Sequence, residues 1–237
     1  MAVIIRFPGI ENIEFLQQME PALRERLLER AREVRFERER PVFHEGSDSA
    51  TGYFVLEGWV KLIKTAPNGK PSIVGLIGPG EALGVAVAYE GGPYPATAIP
   101  ATAGRMVAIP RSDIVGVLDS NARLVKQLFS MVSGRLRQTA GSQTMLAAAT
   151  VESRLAQLCV ELLHRMVQIG GDPNVLPRIL TRREMAEMVG TSVETSIRVF
   201  RKWETMGIIE SDPEHLIIRD RKRLEALVSA SRGTSGS

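Results

Sequence analysis

Apolar residues fall at helical steps early in the chain: Phe15, Leu16, Met19, Leu23, Leu27 and Leu28 recur every three or four positions, with Glu and Arg between them as a solvated face. The spacing predicts short lead-in helices over 15–34. From Arg35 to about Ile109 the texture changes to brief β-rich runs, at 53–56, 60–63, 72–77, 97–99 and 105–109, cut by Gly, Pro, Asn and Asp. Between two of these runs Pro67-Asn68-Gly69 signals a hairpin, since Asn-Gly supplies the positive φ angles that a tight hairpin requires. Many short strands at regular spacing predict an antiparallel sandwich or barrel.

The helical period returns with a short helix over 112–118 and a long one from about Asn121 to Ala148. In the long helix Val125, Phe129, Val132, Leu136, Thr139, Gln143 and Leu146 alternate at steps of four and three, the seam of a coiled coil. A stripe this narrow serves a two-fold dimer or a helix lying on its own β domain, and periodicity alone does not choose. A further helix over 151–168 ends at a Gly-Gly-Asp-Pro break, and two compact helices and a hairpin follow. The expected organisation is therefore α+β: a sensing β domain over 1–119, a dimerisation helix over 120–148, a second domain over 149–228, and a disordered Ser/Gly tail over 229–237.

Composition narrows the class. The 237 residues are 44% apolar, with mean hydropathy near zero, and no run reaches the roughly 18 apolar residues that span a bilayer. The first ten residues lack the zones of a secretion signal, so the cytoplasm is the expected location. A single cysteine, Cys159, cannot supply an internal disulfide or a four-thiolate metal site, and its apolar helical setting predicts a buried thiol. A net charge of +3 permits nucleic-acid binding without arguing for it, which leaves the distribution of charge to decide.

That distribution is informative near the C-terminus. Thr181-Arg182-Arg183-Glu184 is a capping box that starts a helix carrying Met185, Ala186 and Val189 inward; Gly190 turns the chain and 191–194 starts a second helix. Helix, glycine turn, helix within about 25 residues is helix-turn-helix spacing. In the second helix Val199, Phe200 and Trp203 form the inward stripe, and Glu194, Ile197, Arg198 and Arg201 share the opposite face. Such side chains suit a major groove: Arg for guanine O6 and N7, Glu for the cytosine amine, an aliphatic group for the thymine methyl. Gly207 to Glu210, the turn Asp212-Pro213-Glu214 and His215 to Ile218 then read as a wing, with Arg219, Arg221, Lys222 and Arg223 beyond it.

The stretch from Thr181 to Ile209 resembles the helix-turn-helix and wing of the cyclic AMP receptor protein/FNR family of bacterial transcription regulators. The family's Glu-Thr-x-x-Arg core is present as Glu194, Thr195 and Arg198, and Val42-Phe43-His44-Glu45-Gly46 with 53–60 is similar to its β-roll signature. The resemblance covers nearly the whole chain. It implies an N-terminal cyclic-nucleotide-binding-like β-roll (a double-stranded jelly-roll), a dimer helix, a C-terminal winged helix-turn-helix, a homodimer on an inverted-repeat operator in double-stranded DNA, and RNA polymerase as partner. It further implies that Glu194 and Arg198 read a G·C pair while Ser192, Thr195 and Arg182 hold phosphates. Two departures stand out. Val193 occupies a position that is arginine in the cyclic AMP branch, which places the recognition helix nearer the FNR branch; Ile197 stands where glycine or serine is usual.

The family's nucleotide pocket uses a glutamate for the ribose and an Arg-Ser pair for the cyclic phosphate. Here 80–84 marks the corresponding loop, the glutamate position is Val85 and the Arg-Ser positions are Pro95-Ala96, so a cyclic phosphate loses its charge partner. Cyclic AMP is not the expected effector, and the cysteine count excludes an FNR-type iron–sulfur cluster. Haem, through His44, His164 or His215, and a small organic molecule in the apolar loop over 85–99 near Tyr89 and Tyr94 are both open. No catalytic triad, metal-ligand set or phosphate loop marks an enzyme. The alternative reading is a ligand-binding or enzyme-regulatory β-roll whose C-terminal helices contact proteins.

Overall fold

A computed structural model describes residues 6–65, 69–146 and 150–229, the side chains of 135–146 and 229 excepted. The chain divides into two compact units, residues 1–136 and 137–237. The first opens with a 3-10 turn at Ile10–Asn12, α1 at Glu14–Gln17 and α2 at Pro21–Leu28. Seven strands follow: β1 Arg32–Phe36, β2 Thr51–Glu57, β3 Val60–Thr65, β4 Pro71–Ile77, β5 Ala82–Leu83, β6 Thr97–Pro100 and β7 Gly104–Pro110. They form two antiparallel sheets, ordered β1-β7-β2-β5 and β4-β3-β6.

The lead-in helices end sooner than the spacing predicts. The apolar stripe stops at Leu28, and Arg32–Phe36 is a strand paired with β7 from Arg32↔Ala108 to Phe36↔Gly104. Four of its five residues are exposed and only Phe36 is buried, so β1 is an edge strand whose stabilisation comes from the β7 ladder and not from its own pattern. Where β7 passes a bulge in β2, a Cβ on Gly104 would lie 2.1 Å from the Glu57 carbonyl oxygen, so glycine is required.

Period-two alternation sends the two faces of the larger sheet to different cores. Val55 and Met106 join Phe43, Val60, Leu83 and Tyr94 between the sheets. Phe54, Leu56, Val107 and Ile109 face the other way and bury the lead-in helices. Between β5 and β6, α3 (Val85–Glu90) stands between Gly84 at φ +71° and Gly91 at φ +90°; the sequence suggested only a loop here. After β7 come α4 (Arg111–Leu118) and α5 (Ala122–Leu146), started by the Asn121 side chain, which accepts from the Arg123 and Leu124 amides at 3.0 and 3.4 Å. Leu124 and Leu128 of α5 are buried in the core of this unit, Val125 packs partly against it, and Phe129 and Val132 are exposed. Leu136, Thr139, Gln143 and Leu146 belong to α5, but their side chains lie outside the described residues. So do the Pro67-Asn68 half of the expected hairpin turn and the tail from residue 230.

The second unit contains α6 (Val151–Gln168), β8 (Val175–Pro177), α7 (Arg182–Val189), α8 (Val193–Thr205), β9 (Ile209–Ser211), β10 (His215–Ile218) and α9 (Arg221–Ser229). Thr150 caps α6 by accepting from the Ser153 amide at 3.1 Å. The hairpin expected after α8 is β9 and β10, and β8 adds a third strand on the other side of β10 that the sequence did not signal. Leu155, Cys159, Leu163, Met185 and Trp203 are buried in this unit.

Candidate nucleic-acid interface

The α7–turn–α8 unit is delimited by three local signals. Thr181 Oγ1 accepts from the Glu184 amide at 3.1 Å and Glu184 Oε2 accepts from the Thr181 amide at 2.7 Å, a complete capping box. Gly190 ends α7 in the left-handed region at φ +67°, and the Thr191 amide reaches back to the Ala186 carbonyl at 2.9 Å. Ser192 then caps α8 by accepting from the Thr195 amide at 3.2 Å. Packing turns one face of α8 inward. Val199, Phe200 and Trp203 are buried, and the last two meet edge to face with centroids 5.1 Å apart.

The opposite face is open. Ser192, Glu194, Ile197, Arg198 and Arg201 are exposed, and Val193 and Thr195 are partly so. Most cations around this site are engaged: Arg183 with Glu187, Lys202 with Glu152, Arg219 with Glu210, Arg221 with Glu225, and Arg223 with the Met206 carbonyl. Among the described residues Arg198 and Arg201 have no side-chain hydrogen bond or ion pair, so their five-donor guanidinium groups face solvent uncompensated. Glu194 lies in the first turn, where its own backbone amide and the Ser192 hydroxyl hold its carboxyl below the usual carboxylate range. It is an ionised acceptor ready for an amine.

Arg182 is placed differently from what the resemblance implies. Its guanidinium lies 3.5 Å over the Phe200 ring, donates to Ser211 Oγ at 2.8 Å and reaches Met185 Sδ at 3.9 Å. Burial lowers its pKa, and the group ties α7, α8 and β9 together. In the wing turn Asp212 Oδ1 accepts from the Glu214 and His215 amides at 2.7 and 2.6 Å, which orders Asp212-Pro213-Glu214 as a turn.

In the first unit, the positions that the resemblance assigns to a cyclic nucleotide hold no anion-binding set. Val85 and Ala96 are buried, Pro95 is exposed, and Glu81 is occupied with the Gly78 amide at 2.6 Å. Tyr94 turns into the roll, stacks on Phe43 at 3.7 Å and 9°, and gives its hydroxyl to the Thr51 carbonyl. The buried Ser49 hydroxyl pins the preceding loop through the Gly92 carbonyl at 2.6 Å. Tyr89 points elsewhere, to Asp119 at 3.0 Å. His44 and His164 are exposed, and the His215 ring approaches Asp212 at 3.3 Å. Cys159 is buried, and desolvation pushes its thiol up to about 12. No helix among the described residues is long and apolar enough to cross a membrane.

A β-roll on the same chain as a winged helix-turn-helix whose second helix exposes unpaired arginines defines a DNA-binding regulator with a sensory-type domain. Comparison with known proteins agrees: the cyclic nucleotide-binding domain family matches residues 33–121, and the Crp-like helix-turn-helix domain matches 153–227. The chain is 27% identical over 208 residues to the CRP-like cAMP-activated global transcriptional regulator of Mycobacterium tuberculosis, covering 88% of this chain and 93% of that one. It is 26% identical over 199 residues to the nitrogen fixation regulation protein FixK of Bradyrhizobium diazoefficiens, covering 84% and 83%. The solved structure of FixK2 from Bradyrhizobium japonicum shares the fold, with a TM-score of 0.73 at 22% identity over 83% of this chain and 96% of that one. The chain belongs to the Crp/Fnr family of bacterial transcription regulators: it is a DNA-binding protein and not an enzyme.

Proposed function

We propose that the chain acts in the cytoplasm as a homodimer that reads an inverted-repeat operator through α8, contacts RNA polymerase, and answers through its β-roll to a signal other than cyclic AMP or an iron–sulfur cluster. In this reading residues 1–119 sense, 120–148 dimerise and 149–228 bind DNA. Arg198 takes guanine O6 and N7, Glu194 the paired cytosine amine, and Ile197 a neighbouring thymine methyl; Val193 and Arg201 flank them. Ser192 and Thr195 meet phosphates at the start of α8, where the helix dipole favours an anion. Arg182 adds its charge from behind, through its hold on Phe200 and Ser211. The observation that carries the reading is the pair of unpaired guanidinium groups on a helix whose other face is locked by Phe200 and Trp203.

The roll bears on which signal is sensed. A cyclic phosphate needs a cation, and the 94–96 segment offers a stacked tyrosine, an exposed proline and a buried alanine. The mycobacterial relative is named as cAMP-activated, and the reading proposed for this chain differs from that name. An FNR-like cluster has no ligand set, since the chain has one cysteine and that thiol is buried. Selection from a randomised duplex pool tests the reading: it should enrich two-fold symmetric sites without added nucleotide. Recovery of a pool with no base preference would overturn it.

A further inference from the structure

The first turn of α6 reaches three other helices through three successive side chains. Glu152 accepts from two neighbours on α8: the Trp203 indole N–H at 2.9 Å on Oε1 and the Lys202 ammonium at 2.9 Å on Oε2. Ser153 gives its hydroxyl to the Val228 carbonyl of α9 at 3.2 Å. Arg154 donates through Nε to the Val189 carbonyl at 2.7 Å and through Nη2 to the Gly190 carbonyl at 3.3 Å. These two carbonyls end α7, beyond the reach of helical amide donors.

The arrangement constrains α8 in a particular way. Lys202 and Trp203 are consecutive, so they leave the helix about 100° apart, and one carboxylate holding both fixes rotation about the helix axis. Rotation decides whether Glu194, Ile197 and Arg198 face a base edge, and reading geometry tolerates only about 10–20° of error. Arg154 fixes the other end of the same helix by holding the turn that leads into it. The ion pair itself adds little stability, because Lys202 is half exposed. Its larger effect is on orientation. The engagement of Lys202 also removes a cation that position alone would assign to phosphate.

We propose that Glu152 and Arg154 are positioning residues that set the rotation of α8 and thereby its base discrimination. This rests on α8 being the recognition helix. The test uses the full chain with Glu152→Gln and Arg154→Met, and Arg154→Lys as a variant that keeps a donor to the turn. Affinity is measured for a selected operator and for a random duplex of equal length, alongside amide hydrogen exchange over 193–205 and thermal melting. The first two variants should lose about tenfold on the operator and less than about twofold on random DNA, with faster exchange in 193–205; Arg154→Lys should fall between them and the parent. Operator affinity that stays at the parent value overturns the proposal. So does an equal loss on both duplexes that follows the melting temperature, since that outcome marks a purely structural brace. If the parent itself does not prefer its operator, the recognition-helix reading fails, and the exchange rates in 193–205 still decide whether Glu152 and Arg154 hold the helix.

Discussion

Arg198 and Glu194 stand one turn apart on α8 and are prepared for opposite partners: the guanidinium is unpaired, and the carboxylate is kept ionised by the helix start and the Ser192 hydroxyl. A bidentate arginine–guanine contact is worth roughly 1–3 kcal/mol of base discrimination. Arg198→Ala should therefore flatten the preference at one position of each half-site in a randomised selection, and unchanged preferences would remove Arg198 from the reading set. Ile197 can touch a thymine methyl but cannot form a hydrogen bond, so Ile197→Ser should alter only the neighbouring position. Arg182 predicts a different pattern because it is half buried over Phe200 and bonded to Ser211. Arg182→Ala should weaken all sequences alike and also lower stability by about 1–3 kcal/mol in denaturant titration, since a charged hydrogen bond and a ring contact are lost together. Weakened binding with unchanged stability would mean that the inward placement contributes nothing. Cys159 is the third residue with a measurable consequence. With its thiol pushed up to about 12 by burial, it should react with a disulfide reagent only on the timescale of unfolding, and rapid native-state labelling at pH 8 would contradict its position.

At the scale of elements, legibility followed the kind of physical signal each segment carries. The helix α6 was readable to its limits because Thr150 caps it and its buried stripe repeats over eighteen residues. Thr181, Gly190 and Ser192 mark the ends of α7 and α8 by local hydrogen bonds, which sequence alone can display. β1 and β8 were not legible: β1 has one buried residue in five and β8 has three residues, and both exist because a neighbouring strand pairs with them. The short helix α3 was missed because its start and stop are glycines without a side-chain cap. The inward turn of Arg182 also lay beyond the sequence, since Ser211 is 29 positions away. Within the roll, the 91–97 segment yields a prediction of its own. Cyclic AMP should show no micromolar binding by calorimetry, because Tyr94 is held by Phe43 and the Thr51 carbonyl and the 94–96 segment offers no cation for a cyclic phosphate. Micromolar heats accompanied by tighter operator binding would overturn the assignment of Val85, Pro95 and Ala96.

For the whole molecule the decisive feature is the two-sided character of α5. Leu124 and Leu128 bury one side in the core of the first unit, while Phe129 is 71% and Val132 45% exposed on another. One stripe therefore lies on the β domain, and the exposed Phe129 and Val132 are the residues that the proposed dimer would cover with a copy of the same helix. Burying a phenylalanine or valine side chain is worth about 1.5–3 kcal/mol, and a two-fold seam buries each of these residues twice. If α5 forms such a seam, a two-fold dimer should prefer an inverted repeat with half-site centres one helical turn apart, about 34–36 Å. The double substitution Phe129→Glu and Val132→Glu should give monomers in sedimentation equilibrium, since it sets like charges against one another across the axis. Those monomers should bind a full operator no better than a single half-site, and the slope of log affinity against log salt should fall to about half, because half as many phosphates are neutralised. Changing the half-site spacing by five base pairs should abolish the parent's preference and leave the monomer's weak binding untouched. Dimers that survive the double substitution with full operator affinity would place the subunit contact elsewhere, and the symmetric operator would then need another source.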